Sequence, residues 1–196
     1  CVYYKFFVLF VNCCRKRFYD RYCKRWTKDY GLNFGGKYMN INLMNDINNK
    51  IKNCENINKK EINCSRFENS LPFIMETKTS QKILLITRDP SNIANSKLCF
   101  TGFENTFFST HILPLIYKNY NYEQAKKSLQ YFIKFQEHFI NNIYWTYYSK
   151  CFPGINKNGN HKYPNSECAK KYLLEEINGF SPVTIILVGK NVISFL

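Results

Sequence analysis

Between Lys82 and Ile86 the chain reads Lys-Ile-Leu-Leu-Ile, and it stops abruptly at Arg88-Asp89-Pro90-Ser91-Asn92. A strand wetted on one face alternates apolar and polar residues. An unbroken apolar run needs cover on both faces, which is the condition of a central parallel strand. Parallel strands cannot be joined by tight turns, so helices must carry the chain back between them. The rest of the sequence meets that demand. Residues 105–117 and 122–140 carry apolar positions at helical spacing, broken by Pro114 and by Asn119-Tyr120-Asn121. A β-rich segment, Ile143 to Ser149, runs into Cys151, and a Pro/Gly-punctuated loop, 150–166, leads to a helix over 167–178 that opens beside Cys168. The run Val183-Thr184-Ile185-Ile186-Leu187-Val188 follows, and Gly189 turns the chain into another helix. The order β-loop-α-α-β-loop-α-β predicts an α/β fold with a mostly parallel sheet and right-handed crossovers.

At 196 residues and 45% hydrophobic composition, the chain has material for one substantial core. We read residues 1–50 as a basic, aromatic, partly helical N-terminal extension and 51–196 as the α/β domain, cut short at its C-terminus. Residues 40–63 read as an Asn- and Lys-rich connector in which Ile41, Leu43, Met44, Ile47 and Ile51 suggest a helix. Lys and Arg number 28 against 14 Asp and Glu, a formal charge of +14. Such an excess suits a polyanion, nucleic acid above all, although a Lys/Asn-rich composition alone would raise it too. The apolar stretch Val2 to Val11 is interrupted by Lys5 and is too short to span a bilayer. The run from Arg15 to Lys28, interleaved with Phe18, Tyr19, Tyr22 and Trp26, fits a helix on phosphates, a solvated face, or a tether to a membrane surface or partner. Nine cysteines without a signal-peptide pattern point to an intracellular thiol or metal role rather than to disulfides. Phosphate-binding glycine loops, helix-borne histidine pairs and nucleophile signatures are all missing from the sequence.

Three blocks, in order, resemble the uracil-DNA glycosylase superfamily, most closely its iron-sulfur-cluster branch. Ile83-Leu84-Leu85-Ile86-Thr87-Arg88-Asp89-Pro90-Ser91 is similar to the strand and Pro-containing turn that holds the hydrolytic water. Phe100-Thr101-Gly102-Phe103 resembles the block whose Phe stacks on the flipped base. Tyr144 to Pro153, Cys168, Tyr172 to Ile177 and Pro182 to Gly189 resemble the strand, cluster loop, helix and strand that follow. The resemblance covers roughly residues 54–196. It implies a three-layer α/β/α domain, acting as a monomer, that excises uracil or another damaged base from DNA after flipping the nucleotide out.

By the same resemblance, Asp89 is the catalytic carboxylate, set in a turn with Thr87, Arg88, Pro90 and Ser91. Phe100 and Tyr147 meet the base. Cys54, Cys64, Cys151 and Cys168 hold a 4Fe-4S cluster, with Cys13, Cys14 and Cys23 as substitutes for Cys54 and zinc as an alternative to the cluster. Lys150, Lys157 and Lys162 would touch the DNA backbone. Two departures are plain. Tyr147 stands where the family has an Asn that reads the uracil edge, and a phenol cannot reproduce an amide's paired donor and acceptor. The family's His-Pro-Ser loop lies beyond the last strand seen here, and His111, His138 and His161 read as structural. An inactive iron-sulfur or zinc relative that binds nucleic acid is the alternative.

Overall fold

A computed structural model describes residues 8–12, 39–54, 71–91, 107–164 and 166–195. It is broadly α/β. Strands β1 (Val8–Asn12), β2 (Ile83–Thr87), β3 (Ile143–Tyr147) and β4 (Thr184–Val188) form one sheet in the order β1-β4-β2-β3. The three strands anticipated from apolar runs are the parallel ones. β2 pairs with β3 from Ile83↔Ile143 to Thr87↔Tyr147, and with β4 from Ile83↔Thr184 to Ile86↔Leu187. β1 adds an antiparallel edge, Val8↔Val188 to Asn12↔Thr184.

Helix α1 (Ile41–Lys52) starts where the Asn40 side chain accepts the Leu43 amide at 3.0 Å, a cap of the usual kind. Its buried Met44, Ile47 and Ile51 recur at helical spacing. Between β2 and β3 lie a π turn (Phe108–Ile112) that runs into α2 (Leu113–Ile116), then α3 (Tyr122–Lys127) and α4 (Leu129–Asn142). Asn121 and Ser128 cap α3 and α4 through their side chains, at 3.1 and 3.3 Å. After β3 come α5 (Ser166–Cys168), a π turn (Ala169–Leu173) and α6 (Leu174–Phe180); α7 (Lys190–Phe195) follows β4.

Alternation along β3 sorts its side chains between the two sheet faces. Trp145 stacks on Phe108 with centroids 5.9 Å apart and meets Phe139 edge-on at 6.1 Å, on the face crossed by the β2–β3 connection. Tyr144 stacks on Phe180 of α6 at 5.1 Å, on the other face. β3 buries all five residues, so its β-rich sequence without polar alternation has the cover it requires.

Two parts of the supposed N-terminal extension belong with this core. β1 is a strand of the sheet, and the division at residues 50 and 51 falls inside α1. The physical reason is α1's apolar stripe, which packs on α6: the Asn40 amide donates to the Gly179 carbonyl at 2.9 Å. A Cβ at Gly179 would come within 3.0 Å of Met44 Sδ, so the two helices meet where one has no side chain. The basic run over 15–28 lies outside the described residues.

Candidate functional site

The chain leaves β2 toward β3 on one side and returns past it to β4 on the other. The carboxyl end of β2 therefore sits where strand order reverses, the position at which open α/β sheets form their ligand crevice. Thr87 ends the strand; Arg88, Asp89, Pro90 and Ser91 follow at that edge. The parallel ladder continues briefly past the strands, with the Tyr148 amide donating to the Thr87 carbonyl at 2.8 Å and Ser149 to Arg88 at 3.0 Å.

Asp89 is the centre of the site. Its side chain is only 1% exposed, Oδ1 receives Arg88 Nε, and Oδ2 meets His161 Nδ1. His161 comes from the loop after β3, brought in by a small hairpin. Its bridge with Ile155 closes that hairpin, the Lys162 amide donates to Gly154 at 2.9 Å, and Gly154 and Gly159 supply positive φ of 84° and 75°. At the tip the Asn156 side chain accepts the Asn158 and Asn160 amides at 2.9 and 3.1 Å, an Asx-type turn that explains the run Asn-Lys-Asn-Gly-Asn. Buried Phe152 sets its ring edge-on to the imidazole at 5.0 Å. The histidine remains 33% exposed.

Several expected site residues have other duties. Thr87 is buried and its hydroxyl accepts the Trp145 indole N–H at 2.9 Å, so it anchors the core. Tyr147 is 4% exposed, edge-on to Phe73 at 4.8 Å and beside Trp145; it is a core ring here rather than a surface for a base. Lys150 is corrected outright as a DNA contact. Its side chain is 1% exposed, it is ion-paired with Glu176, and it donates to Thr146 Oγ1 at 2.6 Å. Glu176 also accepts from Tyr144 and Thr146, each at 3.0 Å. Burial first, and then Glu176, hold the Tyr144 phenol well above its ordinary pKa. A buried ammonium with these partners cannot reach a phosphate. Lys157 and Lys162 do lie exposed on the hairpin. Phe100 and Cys64 are outside the described residues.

Among the described residues, Cys54, Cys151 and Cys168 neighbour one ring. Tyr172 is buried and its hydroxyl makes no hydrogen bond of normal geometry. Its pKa is raised, mainly by burial and then by the neighbouring Cys54, Cys168 and Cys151 thiols. None of the three is in a disulfide, and the Lys150 amide donates to Cys168 Sγ at 3.4 Å. Thiols are the right donors for iron-sulfur or zinc. Among the described residues, however, no group of three or more His, Cys, Asp or Glu side chains is arranged as a ligand set.

Sequence reasoning missed Glu176 and the Asp89–His161 pair. Glu176 had a signal, an acid on the apolar stripe Leu173, Ile177, Phe180. The pair, 72 residues apart, had none. Among the described residues no helix is long and apolar enough to cross a membrane. No family model, curated protein or solved structure matches the chain.

Proposed function

We propose that the chain is an intracellular, monomeric DNA enzyme of the uracil-DNA glycosylase type, a three-layer α/β/α domain that hydrolyses the N-glycosidic bond of uracil or another damaged base. One observation carries the reading: a buried carboxylate, Asp89, stands at the carboxyl end of the central strand, where strand order reverses. Breaking the bond builds positive charge on the sugar, and a fixed carboxylate stabilises that charge. The base would be flipped out and stacked on Phe100. Exposed Lys157 and Lys162, with a chain charge of +14, suit the phosphate backbone. Cys54, Cys64, Cys151 and Cys168 would hold an iron-sulfur cluster, or zinc, whose contribution is to pin the loop after β3.

The test is release of free uracil from an oligonucleotide with a single uracil, single-stranded and duplex. Free base with an alkali-labile abasic site supports the proposal, and loss of release in Asp89→Asn with DNA affinity retained ties it to this site. Intact oligonucleotide in every case contradicts it. Burial of Tyr147 favours the second reading, an inactive relative that binds nucleic acid, because a ring in the core reads no base.

A further inference from the structure

We propose that His161 takes the proton from the attacking water and that Asp89 is the positioning residue that orients it; the choice of substrate rests on the glycosylase reading. Asp89 is poorly placed to hold water itself. Its side chain is 1% exposed, one oxygen is engaged by Arg88 and the other by His161. A carboxylate paired with an arginine only accepts hydrogen bonds, so the imidazole nitrogen facing it, Nδ1, carries the proton and donates. In the neutral imidazole Nε2 then bears the lone pair, on a ring one-third open to solvent. A buried carboxylate behind a partly open imidazole is how a histidine is held in one tautomer and how the imidazolium is stabilised once formed. The ring meets Asp89, which is itself paired with Arg88, and it also meets the Phe152 ring and, through the backbone bridge, Ile155.

In the step, the water oxygen bonds to the anomeric carbon and its proton passes to His161 Nε2. The carbon–nitrogen bond breaks, and its electron pair leaves with the base, which solvent later protonates. His161 returns its proton to solvent.

The experiment uses the full chain with ¹⁵N-labelled histidine and the single-uracil oligonucleotide. His161→Asn keeps a donor near the position of Nδ1 but has no proton-accepting nitrogen. It should fold as the native chain does, bind DNA with unchanged affinity, and lose about 10²-fold or more in kcat together with the acid limb of the pH–rate profile. His161→Asn at the native rate, or with the acid limb intact, overturns the proposal. Nitrogen shifts should show the native Nδ1–H tautomer, and Asp89→Asn should remove that preference; a tautomer indifferent to Asp89 overturns the pairing. If the native chain releases no base while the Asp89-dependent tautomer is present, the glycosylase reading and the proton transfer from water both fail, and only the orientation of His161 by Asp89 stands.

Discussion

Two buried carboxylates lie near the same end of the sheet, and they are finished differently. Glu176, on the α6 face, meets Lys150, Thr146 and Tyr144, and both members of its ion pair are excluded from water. Asp89, past the end of β2, is as deeply buried, yet both of its partners, Arg88 and His161, retain solvent exposure. A closed ionic network ties β3 to α6 and offers nothing to a ligand. A buried charge with partly open partners can transmit its effect outward. The contrast teaches that burial alone does not mark a functional carboxylate; the exposure of its partners does.

The largest effect should come from breaking the closed network. Glu176→Ala leaves the Lys150 ammonium buried without its counter-charge and should cost about 3–5 kcal/mol in urea unfolding. Replacing both partners, Lys150→Met with Glu176→Leu, should restore much of that loss, since a buried pair exchanged for well-packed apolar side chains is often neutral. If the double variant is as unstable as the single one, the network does more than compensate its own charges. Asp89→Asn should cost less, about 1.5–3 kcal/mol for hydrogen bonds to a charged group, because Arg88 and His161 can turn to water. Equal losses at Glu176 and Asp89 would erase the distinction between them.

How far the chain could be read beforehand follows the same division. β2 was legible because an unbroken apolar run requires cover on both faces, β3 and β4 from their β-rich composition, and β3 ends at Tyr147 rather than Ser149 only because the ladder loosens into two further hydrogen bonds. The helices were legible from spacing, Pro114 and Asn119-Tyr120-Asn121, but 122–140 was read as one helical stretch and its division at Ser128, which caps the second helix, was not seen. Asp89 could be singled out because a strand-end Asp-Pro turn is a local pattern. Its partner could not, since His161 arrives through a hairpin whose direction depends on Gly154, Gly159 and the Asn156 turn acting together. Lys150 was misjudged for a related reason: a lysine beside a basic loop reads as surface until the helix bearing Glu176 is folded against the strand.

The comparison extends to the lysines. Lys157→Ala and Lys162→Ala should each reduce the salt slope of DNA binding by about one, as phosphate contacts do, with stability unchanged. Lys150→Met should leave the salt slope as it is and change stability instead. A smaller effect is expected in alkali. Burial pushes Tyr117 and Tyr120 up to about 12, so the folded chain keeps those phenols neutral where the unfolded chain ionises them. Their contribution is complete below about pH 10 and is lost as pH rises toward 12. Tyr144, inside the closed network, should ionise later than its ordinary value, as ultraviolet difference spectra would report.

Uracil release by three proteins compared at equal folded concentration tests the central claim most directly: the native chain, the Lys150→Met/Glu176→Leu variant and Asp89→Asn. The account predicts release by the first two at similar rates and none by the third. Release undiminished in Asp89→Asn, or none from the native chain, would contradict it.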